Sequence, residues 1–349
     1  MSDKTKSMAS ADISESGGRH KLQPSGRLPV GQQPVLVVAG PTASGKSALA
    51  SRLARELDGI VINADSMQVY RDLPILTAQP NAAEMQAVPH RLYGFLALDD
   101  ACTADRWATL ARAEIDAAHR AGKLPVLCGG TGLYLRGLMQ GFSPIPDIPA
   151  DVRAAARALL KQIGSAALRG RLAEHDPEIA ARLHPNDPQR IARAWEVWLA
   201  TGRPLSAWQK LPPTPPAGLA FLTFVILPER GALYRACDAR FLAMLERGAL
   251  EEVRHALSLY PPERRKEGGA KALGFAELAQ CVDHPDRLDQ AVLAAQQATR
   301  NYAKRQVTWF RHQMANGNFM SPDMGDMQFS ESSHAGMRQK IRDFLLTLR

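Results

Sequence analysis

The chain has 349 residues, with 43 Lys plus Arg against 35 Asp plus Glu, a net charge of +8, and 45% hydrophobic residues. Such a chain can bury one large core or two ordinary ones, and its basic balance favours polyanionic partners. No run approaches the roughly 18 apolar residues of a membrane span, and Cys102, Cys128, Cys237 and Cys281 form no C-x-x-C pair, which argues against a zinc site or disulfide framework. The N-terminus has no apolar secretory core, so a cytoplasmic protein without membrane contact is expected.

Residues 1–33 are polar and rich in Gly and Ser, with too little apolar surface to offset the entropy of folding, and are expected to form a disordered tail. From residue 34, apolar runs at 35–39, 60–64 and 125–128 alternate with amphipathic helical stretches. This predicts an α/β fold with a parallel sheet, whose ligands sit beyond the carboxyl ends of the strands.

The first run leads into GPTASGKS, residues 40–47, which fills the G-x-x-x-x-G-K-[ST] pattern between a strand and a helix. Gly40, Pro41, Thr42, Ala43, Ser44, Gly45, Lys46 and Ser47 are therefore the expected phosphate cradle. Backbone N–H groups and a helix N-terminus face the anion, Lys46 adds a point charge, and Ser47 offers a hydroxyl to Mg²⁺. The second run ends in Asp65, within ADSMQVY, and the third in Gly129, Gly130 and Thr131, within GGTGLY. A P-loop ATPase would usually carry a Mg²⁺-binding Asp at the end of such a strand.

Residues 144–218 read as an all-helical insertion. One helix is expected to be capped by Asp151. A second has Asp187 as N-cap, Pro188 in its first turn and Gly202 as its stop, with Ile191, Trp195 and Trp198 on one face and Gln189, Arg190 and Arg193 on the other. A strand at 221–227 returns to the sheet, so 34–143 and 219–315 make the core. In the last long helix, at about 100° per residue, Arg300, Lys304 and Arg311 lie opposite Ala295, Tyr302 and Trp309. Two cationic helix faces beside a phosphate site point to a nucleic-acid backbone. Residues 316–349 are expected to be a tail with a short helix near its end.

In GPTASGKS, DSMQVY, GGTGLYLRGL, NDPQRIARAWEV, KALGF and TRNYAKRQVTWFR, in that order from about residue 35 to 311, the chain resembles the tRNA dimethylallyltransferase, or tRNA isopentenyltransferase, family. The resemblance implies a P-loop NTPase/kinase-like core with an all-helical insertion, and dependence on Mg²⁺. It implies transfer of a dimethylallyl group from dimethylallyl diphosphate to N6 of the adenosine 3′ to the anticodon, in tRNAs reading codons that begin with U, giving N6-isopentenyladenosine.

The chemistry agrees. The diphosphate leaves as positive charge builds on an allylic carbon, so donors should gather on the leaving group. The exocyclic amine must lose a proton, and Asp65 is the best-placed base, with Mg²⁺ ligation as its competing role. Lys46 holds the diphosphate. Thr131 could bond the adenine or a phosphate oxygen, and Gly129 and Gly130 could admit the substrate close to the backbone. Resemblance makes Asp65, Ser66, Met67, Gln68 and Thr131 tRNA contacts in the cleft. On the same ground Arg153, Gln189, Arg190, Ile191, Ala192 and Arg193 in the insertion, with Lys271, Lys304, Arg305, Gln306 and Arg311, are candidate tRNA contacts.

The chain departs from the family pattern at Leu76 and Gln79, usually Gly and Lys, at Arg91, often His, and at Lys271 and Phe275, usually Arg and Tyr. These place the flanks of the substrate channel in question. A P-loop nucleoside or nucleotide kinase and a non-catalytic RNA-binding protein are the competing readings. A monomer is expected, since one chain supplies every part.

Overall fold

The computed structural model describes residues 31–265, 268–314, 317–321 and 330–348; most of the expected N-terminal tail lies outside them. β1 (Gln33–Ala39) leads through the glycine-bounded loop into α1 (Lys46–Glu56), then β2 (Gly59–Asn63), α2 (Ala82–Ala87) and the two-residue β3 (His90–Arg91). α3 (Ala104–Arg120), β4 (Leu124–Gly129) and α4 (Gly132–Gln140) follow. Gln33, assigned above to the tail, already pairs with Leu219 of β5 (Leu219–Ile226).

The strands form one sheet in the order β3-β2-β4-β1-β5-β6, all pairs parallel, with β6 at Asn318–Met320. β2 is buried at every residue and β1 from Val35 onward, because helices cover both faces, so these strands read as unbroken apolar runs. On one face Trp107, Ile115 and Leu135 pack on Val37, Ile62 and Leu127. On the other, Leu49 and Leu53 of α1 pack on Leu36, Val38 and Val126.

Two expectations need correction. The described residues after 316 are more than a tail with a short helix: β6 extends the sheet beside β5, and α13 (Glu331–Thr347) buries Met337, Ile341 and Phe344 in the second core layer. The four-three spacing of these residues marks a helix face, but it sits among charged neighbours and follows a strand of only three residues. Asp151 does not cap its helix. α5 (Ala150–Ala173) starts after Pro149, and Asp151 lies in its first turn, where the helix dipole favours an acid.

The insertion has its own core. α5, α6 (Pro177–Arg182), α7 (Pro188–Thr201) and α8 (Leu205–Gln209) bury Leu168, Leu172, Ile191, Trp195 and Val197 together. Asp187 caps α7 by accepting the Arg190 N–H, and Gly202 ends it in the left-handed conformation, as expected. A further helical layer comprises α9 (Arg230–Glu246), α10 (Ala249–Leu259), α11 (Phe275–Ala279) and the long α12 (Leu288–Gln313). Phe241, Val253, Phe275 and Ala295 of this layer close on Leu73 and Leu76, which follow β2. That packing walls one side of a cleft above the strand ends.

Candidate active site

The loop after β1 is shaped for an anion. Gly40 has φ +155°, and a Cβ there would lie 2.6 Å from the Ile226 carbonyl oxygen, so only glycine fits. Ala43 is left-handed at φ 59°, strain that the surrounding loop must hold. Gly45 precedes α1 without a side-chain cap, which leaves the first helical N–H groups for a ligand. Ser44 Oγ is buried and has no hydrogen-bond partner among the described residues. Lys46 Nζ rests on the Pro41 carbonyl at 3.2 Å. Burial pulls this ammonium below its ordinary 10.5, and the Asp65 carboxylate opposes that pull.

At the end of β2, Asp65 makes a local turn in which Oδ1 accepts the Met67 N–H at 2.9 Å. Among the described residues Oδ2 has no hydrogen-bond partner. Thr131, at the end of β4, ties the two strand ends together. Its Oγ1 accepts the Ser66 N–H at 2.9 Å and donates to Ser66 Oγ at 3.2 Å. The room expected for substrate at Gly129 and Gly130 is taken by the protein. A Cβ on Gly129 would lie 2.1 Å from the Ala64 carbonyl carbon, and one on Gly130 would lie 2.3 Å from Gln306 Nε2.

Asp65 and Thr42 line a cleft with Thr77, Arg240 and Tyr302, and the apolar Met67, Leu76, Phe241, Met244 and Leu273 form much of its remaining wall. Arg240 was not anticipated. It donates to Thr42 Oγ1, its guanidinium is pushed down by burial, and the charge of Asp65 opposes that shift. The only sequence signal was an Arg three residues after the apolar Cys237 in a helix whose apolar pattern is weak. The Tyr302 phenol is pushed up first by burial and then by the charge of Asp65, a rise that the nearby Thr131 hydroxyl opposes.

The structure separates the expected RNA contacts into two groups. Arg153, Gln189, Arg190 and Arg193 are exposed on the insertion, and Lys304, Arg305 and Arg311 are exposed on α12, as is Lys271 in the turn before α11. Ile191 is buried in the insertion core and Ala192 is buried beside it in the chain, so neither offers a side chain to a partner. Gln306 is also buried: its Oε1 accepts the Thr42 N–H and its Nε2 donates to Gly130 O. Gln68 spends both amide hydrogens on the Thr77 and Ala78 carbonyls, so it holds a loop and has no amide hydrogen left for the expected tRNA contact. Of the departures from the family pattern, Leu76 lines the cleft, Gln79 is buried and bonds Tyr70 O, Arg91 pairs with Glu114, and Phe275 is buried.

A family model described as IPP transferase matches residues 68–313. A curated tRNA dimethylallyltransferase of Rhodospirillum centenum is 56% identical over 293 residues, covering 83% of this chain and 92% of the relative. One of Paramagnetospirillum magneticum is 52% identical over 316 residues, covering 90% and 98%. Among solved structures, a eukaryotic dimethylallyltransferase acting on tRNA aligns with a TM-score of 0.77 at 29% identity, over 91% of this chain and 80% of that one. The full-length tRNA isopentenylpyrophosphate transferase of Bacillus halodurans aligns with a TM-score of 0.62 at 31% identity, over 91% and 97%.

Proposed function

This chain belongs to the IPP transferase family, that of the tRNA dimethylallyltransferases, and on that premise we propose how its cleft carries the reaction. It is an enzyme that transfers a dimethylallyl group to tRNA. The acceptor is N6 of the adenosine 3′ to the anticodon in tRNAs reading codons that begin with U. The observation that carries the reading is the meeting, in one cleft, of Asp65, the P-loop residue Thr42, Arg240 and an apolar wall. The relatives' names favour it over a nucleoside or nucleotide kinase.

The α1 N–H groups, the unpartnered Ser44 hydroxyl, Lys46 and Arg240 hold the diphosphate, and the apolar wall takes the five-carbon tail. As the C1–O bond to diphosphate breaks, the N6–C1 bond forms and Asp65 Oδ2 takes the N6 proton. Thr131 and Met67 fix that carboxylate through Ser66 and the turn. An adenosine stacked in the anticodon loop must leave the stack to reach this depth.

Mg²⁺ fits this site as an ion shared with the diphosphate. No group of three or more His, Cys, Asp or Glu among the described residues could cage a metal, while the Ser47 hydroxyl is exposed in the first turn of α1. When bound, Mg²⁺ would supply positive charge to the leaving group.

The exposed cations of the insertion and of α12 take the RNA backbone. A cytoplasmic monomer belongs to the same reading, because the acceptor is tRNA and one chain supplies every named group.

The test is incubation of purified protein with Mg²⁺, dimethylallyl diphosphate, ATP and unmodified tRNA, followed by nucleoside mass analysis and an assay of the ATP remaining. Prenylated adenosine is expected. ATP consumption with no prenylated nucleoside would turn the reading to a kinase.

A further inference from the structure

The loop between β2 and α2 is a partition between two cavities. Leu76 and Thr77 line the cleft that holds Asp65, whereas Ala78, Gln79 and Pro80 line a second cavity that includes Ser47 and Gln68. Its carbonyl side is pinned by Gln68 Nε2, at 3.0 Å from Thr77 O and 2.7 Å from Ala78 O. At its start, the Ile75 and Leu76 N–H groups open a helical turn and have no earlier carbonyl to meet. Both donate to one carboxylate on α10, Ile75 N at 2.7 Å from Glu252 Oε1 and Leu76 N at 2.8 Å from Glu252 Oε2.

We propose that Glu252 is a positioning residue: by gripping the Ile75 and Leu76 amides it sets the depth of the apolar wall, and so selects a short prenyl chain in the donor. This rests on the cleft being the donor site. Leu76 is buried against Phe241, and its Cδ1 lies 3.3 Å from where a Cβ on Gly274 would stand. Close packing leaves the wall no slack, so a shift of the Leu76 backbone is felt at the tail. Two charge-assisted bonds to adjacent N–H groups define a position in a way that one neutral bond does not.

The experiment compares Glu252→Gln, Glu252→Ala and Leu76→Ala with wild type, using dimethylallyl and geranyl diphosphate at saturating tRNA, with tRNA affinity and melting temperature measured alongside. Expected for Glu252→Ala is a rise of about tenfold in KM for dimethylallyl diphosphate, with kcat and tRNA Kd within about twofold of wild type. The kcat/KM preference for the five-carbon donor over the ten-carbon one should fall by about tenfold, as it should in Leu76→Ala, with Glu252→Gln between because one oxygen still accepts. Glu252→Gln carries the test if the Ala variant does not fold. An equal loss with both donors, or an unchanged KM, overturns the proposal while the activity stands. A wild type inactive with both donors overturns the activity and this proposal together.

Discussion

Gln306 on α12 accepts the Thr42 N–H of the phosphate loop at 2.8 Å, across 264 residues of chain. The same side chain donates to Gly130 O at 2.9 Å, so the last core helix fixes both the phosphate loop and the turn after β4. Gln306→Ala leaves two backbone groups without partners, each at a cost of about 1–3 kcal/mol where water cannot reach. A lower melting temperature and a raised KM for the prenyl donor are expected, with tRNA affinity nearly unchanged. Gln306→Glu keeps the acceptor for Thr42 but sets a buried carboxylate oxygen against Gly130 O and beside the anion site, so it should raise that KM further than Gln306→Ala does. Steady-state kinetics and filter binding check this.

Lys46 should give the donor-binding step an alkaline limit. Burial lowers its ammonium from 10.5, so the folded protein holds that proton less tightly than the unfolded chain. The stability linked to Lys46 is therefore complete above 10.5 and is lost as pH falls through the lowered folded value. Diphosphate binding runs the other way, because it favours the charged form. KM for the donor should rise as pH climbs through that lowered value, before 10.5 is reached. Lys46→Arg keeps its charge throughout, so its KM should start higher and stay flat over the same range.

The exposed cations should reveal themselves through salt. Lys304→Ala and Arg311→Ala should each reduce the slope of log Kd for tRNA against log salt by about 0.7–0.9, one phosphate contact apiece. Ile191→Ala, in the insertion core, should lower the melting temperature and leave the slope alone.

The C-terminal helix should matter for stability, not chemistry. Ile341 is 1% exposed in the layer that also holds Leu49 and Leu53 of α1. Ile341→Ala should cost about 2–5 kcal/mol. Calorimetry should show that loss, and kcat well below the transition should match wild type.

The sheet was legible because β1, β2, β4 and β5 are covered on both faces and so appear as apolar runs. β3 and β6 have two and three residues, too short to leave a pattern. The cradle was legible because Gly40, Gly45, Lys46 and Ser47 carry their chemistry in local spacing, and Asp65 because it ends a strand. Arg240 and Glu252 were not, since their roles come from packing α9 and α10 against segments some 200 and 180 residues earlier. Gln306 was misread for a related reason. Motif position put it beside exposed cations, but its place on the helix turns it inward to the phosphate loop, and Ile191 and Ala192 are buried in the same way.

The most direct test of the account is single-turnover transfer by Asp65→Asn with tRNA and dimethylallyl diphosphate both bound. Asn can still accept the Met67 N–H, so the turn survives while the base is lost. A fall of about 10²–10⁴ in the rate of N6 prenylation, with both binding constants unchanged, is the result the account predicts. A rate close to wild type would contradict it, as would a loss confined to substrate binding.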